Sequence, residues 1–172
     1  IRLTEHLLDA EHNAPGYLLF IHLADLAGLN QKLGGQKTDE LIKAMGNIIQ
    51  QQLAKPNRSA WLGSRSRAAE FSLVAPGLTG ADADQLANEI SSAVKALPLA
   101  QDSQMSPVAF IGIGAFSPGE QAKNVYGRTD QALAQAQSTQ GKTWTRLDDS
   151  ALDVHAQDWR GWIDEELQQR KD

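Results

Sequence analysis

The chain reads as one α+β domain, helices packed on a sheet rich in antiparallel pairs, and three observations predict it. Two nearly continuous apolar runs of strand length, over 17–23 and 108–116, have the pattern of strands buried on both faces. A hairpin lies between them, with Trp61, Leu62 and Gly63 before a short polar turn and Glu70, Phe71, Ser72, Leu73 and Val74 after it. The remaining segments space their apolar residues at helical intervals. The order is strand, two helices, hairpin, helix, strand, helix, strand, which suits an antiparallel-rich sheet with helices laid against it.

Taken in order, Leu3, Leu7 and Leu8 suggest a short helix that ends before the turn cluster Asn13-Ala14-Pro15-Gly16. The first strand follows. Leu26, Leu29 and Leu33 then space a helix stopped by Gly34-Gly35. Thr38 reads as the cap of a second helix, whose stripe is Leu41, Ile42, Met45, Ile48, Ile49 and Leu53 and whose end is marked by Pro56-Asn57. In the hairpin's second strand Phe71 and Leu73 alternate with Ser72. After Pro76-Gly77 a third helix is expected from about Asp82, with Leu86, Ile90, Val94 and Leu97 on one face. The strand over 108–116 carries Gly112 and Gly114, where a neighbouring backbone or ligand comes close. Val125, Ala132, Leu133 and Ala136 belong to a fourth helix, and 142–147 to a last short strand. The domain is placed over 1–150. The tail over 151–172 is polar, with Trp159, Trp162, Ile163 and Leu167 on one helical face, and reads as a connecting helix.

Composition excludes several classes. The 172 residues suit one domain with a full core, and 41% hydrophobic with 22% charged residues is ordinary for a globular protein. A net charge of −5 with no basic run argues against a nucleic-acid partner. Without cysteine there is no disulfide, thiolate site or cysteine nucleophile, which fits a reducing compartment. No stretch approaches the roughly 20 apolar residues of a membrane span, so no direct membrane contact is expected. The opening at Ile1 reads as a piece of a longer protein.

The turn Ser66-Arg67-Ala68-Ala69-Glu70-Phe71 carries the most information. Its setting resembles the signature hairpin of the GGDEF family, the bacterial diguanylate cyclases, whose turn reads Gly-Gly-Asp-Glu-Phe. Here the five positions are Arg67, Ala68, Ala69, Glu70 and Phe71, so only the last two match. The resemblance runs over roughly 17–147. Aligned on Leu29-Asn30, the family's Asp-x-Asp positions hold His22 and Ala24, and Leu26 stands for its phenylalanine. Asp39 falls at the spacing of an aspartate that reads guanine in the family, and Asn30 aligns with its asparagine. Ile113-Gly114 and Thr129-Asp130-Gln131-Ala132-Leu133 resemble its later strand and helix motifs, while Gln137 replaces a phosphate-contacting lysine. Arg58 and Trp61 align with an inhibitory Arg-x-x-Asp product site whose aspartate is missing. The resemblance implies the nucleotidyl-cyclase-like sheet with a ferredoxin-like core.

It also implies that the chemistry is lost. Joining two GTP molecules depends on magnesium, which takes oxygen ligands, chiefly carboxylates. The expected carboxylate positions align with His22 and Ala69, so the domain reads as a degenerate, non-catalytic GGDEF domain with no catalytic residue, metal site or cofactor. Asn30 and Asp39 could still bond a guanine edge. The plainer reading, which we favour, is a polar residue near a helix end and an acid in a first helical turn. His22 reads as a satisfied histidine rather than a ligand, and Glu70 as solvated or paired beside Arg67.

Degenerate GGDEF domains commonly precede an EAL domain, and the tail around Trp159 and Trp162 resembles the helix that leads into one. The combination looks most like the LapD-type cyclic-di-GMP receptors. That resemblance implies a cytoplasmic domain of an inner-membrane-anchored parent, gating a linked EAL domain in cis or homodimerisation in biofilm signalling. Two other readings stay open: a GTP-binding allosteric module that activates an EAL phosphodiesterase, and a weak residual cyclase.

Overall fold

The computed structural model describes residues 14–66 and 69–148. The N-terminal helix expected from Leu3, Leu7 and Leu8, and the tail bearing Trp159, Trp162, Ile163 and Leu167, lie outside the described residues, as do Arg67 and Ala68.

Strand β1, Gly16–Leu23, is apolar at almost every position because it is the central strand of five. The order is β2-β3-β1-β4-β5, with β2 Leu62–Arg65, β3 Glu70–Pro76, β4 Ala109–Phe116 and β5 Trp144–Leu147. β1 pairs antiparallel with β3 and with β4, and β2 pairs antiparallel with β3. Only the β4–β5 pairing is parallel, so the described sheet is mixed but antiparallel-rich.

Helices α1, Leu26–Leu33, and α2, Gly35–Leu53, follow β1. α2 starts earlier than its sequence suggests. Gly34, at φ 85°, is the cap, and Thr38 lies inside the helix with its side chain buried. Asp39 therefore sits beyond the first turn, and the macrodipole account of that residue does not hold. α3, Gly80–Lys95, also starts earlier, because the Thr79 hydroxyl accepts the Asp82 N–H at 3.1 Å. Leu97 falls outside it, as the cap of a short helix α4, Pro98–Asp102, that apolar periodicity does not announce. Helix α5 is Ala122–Ser138.

The two sheet faces bury different helices. Leu19, Ile21, Leu73, Ile111 and Ile113 form one core with the apolar stripes of α2 and α3. Leu18, Val74 and Phe116 meet Val125 of α5 on the other, with Phe20, Leu62 and Tyr126 at its margin. Gly112 and Gly114 are what let α5 lie close. A Cβ at Gly112 would sit 2.5 Å from Thr129 O and 2.7 Å from Leu133 Cα. The close neighbour expected at these glycines is thus the backbone of α5.

Candidate functional site

Of the residues singled out by sequence, His22 at the end of β1 and Ala69 and Glu70 of the β2–β3 hairpin come together. Strand register brings His22 opposite Glu70 on one side and Phe110 on the other. The His22 Nε2 lies 3.6 Å from Glu70 Oε2, and its ring stacks on Phe20 with centroids 5.7 Å apart. Burial pushes the His22 pKa below its ordinary value, while the carboxylates of Glu70 and Asp130 pull it back up. Glu70 is exposed, and the partner the structure gives it is His22. A contact with Arg67 lies outside the described residues.

The hairpin turn is closed by the Ser66 N–H donating to Glu70 O at 2.8 Å. Ala69 adopts φ 59°, a left-handed conformation uncommon for a residue with a Cβ, and its side chain is buried at 2% exposure. Phe71 anchors the strand in the core. At the β1–α1 turn Ala24 is exposed, and its N–H donates to Val108 O at 2.9 Å. Asp25 caps α1, its Oδ1 accepting the Gly28 N–H at 3.0 Å. A helix N-terminus is a ready anion site, and this one already holds a carboxylate of its own chain. The cue was an aspartate directly before the first apolar helical residue.

Asn30 and Asp39 are both exposed, on α1 and α2 on either side of the Gly34 turn. Gln137 is exposed near the end of α5. Leu26 is the one exposed large hydrophobic residue among the described residues, at 37%. Arg58 does not reach outward. It donates to Gln52 O at 2.7 Å and to Gln52 Oε1 at 2.9 Å, and its guanidinium lies 4.0 Å from the Trp61 ring centroid. The same corner holds Lys55 against Glu89 at 2.9 Å, and that hydrogen bond keeps the Glu89 carboxyl below its usual pKa. Sequence had no signal for these pairings, because their partners come from separate elements.

The magnesium chemistry of the resemblance can be tested against these donors. An imidazole pushed towards its neutral form, a buried alanine and one exposed glutamate do not make the oxygen-rich set that ion takes. Among the described residues no group of three or more His, Asp or Glu side chains is placed to hold a metal. The residues do not fit the ion.

Among the described residues a mixed five-stranded sheet, with α2 and α3 on one face, α5 on the other and a hairpin beside the end of the central strand, defines a nucleotidyl-cyclase-like fold. The chain belongs to the family described as diguanylate cyclase, GGDEF domain, whose model matches residues 2–143. Among solved structures it is similar to the active GGEEF domain of a diguanylate cyclase from Vibrio cholerae, at 19% identity and TM-score 0.69, covering 86% of this chain and 94% of that one. The coiled coil and GGDEF domain of DgcB from Caulobacter crescentus, in complex with c-di-GMP, matches at 21% identity and TM-score 0.68, covering 85% and 77%. The S helix-GGDEF-EAL form of Vibrio cholerae LapD matches at 13% identity and TM-score 0.69 over 98% of this chain, which spans 39% of that one. Comparison with curated proteins finds no match.

Proposed function

We propose that this GGDEF domain is a non-catalytic regulatory module of cyclic-di-GMP signalling that acts on a linked EAL domain or on a second copy of itself. One observation carries the reading: the two positions expected to supply metal carboxylates are a packed histidine, His22, and a buried alanine, Ala69. Asp25 adds to it by occupying the α1 N-terminus with the chain's own negative charge, where a phosphate would compete with it. The likeness to the S helix-GGDEF-EAL form of LapD supports an EAL neighbour in cis, and the membrane-anchored receptor parent rests on the sequence resemblance to LapD-type receptors. No helix among the described residues is long and apolar enough to cross a membrane. Contact with the EAL domain is assigned to Trp159, Trp162, Ile163 and Leu167, since the sequence spaces these apolar residues at helical intervals in an otherwise polar segment and such a stripe needs a surface to cover it.

Incubation of the purified protein with GTP and magnesium or manganese tests the reading. We expect no cyclic-di-GMP above an enzyme-free blank, and protein-dependent product would overturn it. A second reading, a GTP-responsive module, is favoured by the exposure of both Asn30 and Asp39. Binding at a hundredfold excess over the dissociation constant would stabilise the fold by about 2.7 kcal/mol. A melting shift of that size without turnover, lost in Asp39→Ala, would replace the first reading with the second. Without phosphate partners we expect no such shift at millimolar GTP.

A further inference from the structure

We infer that the cavity between α3, α4 and the start of β4 binds a small apolar anion, a hydrocarbon or aromatic body carrying one carboxylate. The cavity measures about 430 Å³, within the range of clefts that hold small molecules. Its floor is core: Ile21, Ile90 and Ile111 line it at 1% exposure or less. Ser91 and Thr143 bring hydroxyls to the wall, their oxygens 3.5 Å apart. That separation is long for a hydroxyl pair, so each keeps hydrogen-bonding capacity for a guest.

Charge selects the head group. Among the described lining residues Lys95 is the one charged side chain, although the chain as a whole carries −5. An exposed lysine in the lining of an apolar-floored cavity, with no carboxylate among the described lining residues, favours a guest that is apolar at one end and anionic at the other. Burial of the body is driven by removal of apolar surface from water, and the head gains a charge-assisted hydrogen bond that a neutral analogue lacks.

The cavity lies apart from the His22 and Glu70 pair, yet its wall touches the β1–α1 turn. Met105 lines the cavity, and a Cβ on Gly28 of α1 would sit 2.7 Å from its terminal methyl. Val108, also in the lining, accepts the Ala24 N–H. A guest pressing on Met105 therefore bears on the turn that Asp25 caps. This site holds whether or not the domain turns over or binds GTP.

Octanoate and 1-octanol, titrated into the full isotopically labelled chain and followed by amide shifts, decide it. We expect saturable shifts centred on Ser91, Lys95, Met105 and Thr143, with octanoate tighter than octanol by about three- to fivefold, as for a solvent-exposed ion pair. Lys95→Met should lower octanoate to the level of octanol and leave octanol unchanged. Ser91→Phe, which fills the wall, should remove both. Shifts that do not saturate or that scatter over the surface would overturn the assignment, as would equal affinity for the two probes. An octanoate affinity unchanged by Lys95→Met would overturn it independently of how Ser91→Phe folds.

Discussion

One added methyl group at Gly112 should loosen α5 from the sheet, whereas the same group at Gly46 should tighten the fold. At Gly112 the new carbon would lie 2.5 Å from Thr129 O and 2.7 Å from Leu133 Cα. These are backbone atoms of α5, with no rotamer by which to move away. Carbon contacts are comfortable from about 3.5 Å, so helix or strand must give by roughly 1 Å. Overpacking of this kind costs about 1–3 kcal/mol, and the loss of glycine's freedom in the unfolded chain returns roughly 0.4–1 kcal/mol. The net loss is about 1–2 kcal/mol, which for a domain of this size lowers Tm by about 2–8 °C. At Gly46, inside α2, the new carbon would meet only Phe71, at 3.5 Å and 3.9 Å. That is ordinary contact, and replacing a mid-helix glycine by alanine gains about 0.5–1 kcal/mol, raising Tm by about 1–4 °C. Thermal and urea unfolding of both variants, followed by circular dichroism, measures the pair. A Gly112→Ala protein as stable as the parent, or a larger loss at Gly46 than at Gly112, would refute the packing of α5 on bare strand backbone.

Two further perturbations probe the neighbouring groups. Burial holds His22 below its ordinary pKa of 6.5, so the unfolded chain binds its proton more readily than the folded one. Stability should accordingly fall as pH drops through about 6.5 towards the folded value; His22→Gln should flatten that slope between about pH 7.5 and 5, and an identical slope in the variant would remove His22 as its source. Arg128, 2% exposed, pairs with Glu120 through its two terminal guanidinium nitrogens and donates to Ala115 O. Glu120→Ala removes a two-point ion pair from that buried charge and should cost about 1–3 kcal/mol in urea unfolding, whereas an unchanged stability would show that this pair does not hold the guanidinium in place.

Much of the architecture could be read from residue pattern alone. β1 and β4 announce themselves because a strand covered on both faces must be apolar throughout, and the stripes of α2 and α3 because each buries one side. Gly112 and Gly114 marked a close approach before the approaching element was known. The departures have local causes. Thr38 has the chemistry of a cap, but its position is buried, and Gly34 starts the helix instead. α4 is too short for periodicity to show, and its Pro98 reads as a helix start only once Leu97 is seen to leave α3.

At the site, sequence determined what each position can offer. Ala69 has no side-chain donor, His22 offers an imidazole where the family resemblance leads one to expect a carboxylate, and no arrangement of neighbours changes those side chains. Tertiary structure decided how the remaining groups are used. Strand order sets His22 against Glu70, Asp25 caps α1, and Arg58 turns in to Gln52 and Trp61. It also decided that α3, α4 and the start of β4 leave a cavity with Lys95 in its lining. The reason is one of range. Composition and spacing specify which face of an element avoids water, through interactions a few residues apart, whereas the partner of a polar side chain depends on strand order and register, which no single segment contains.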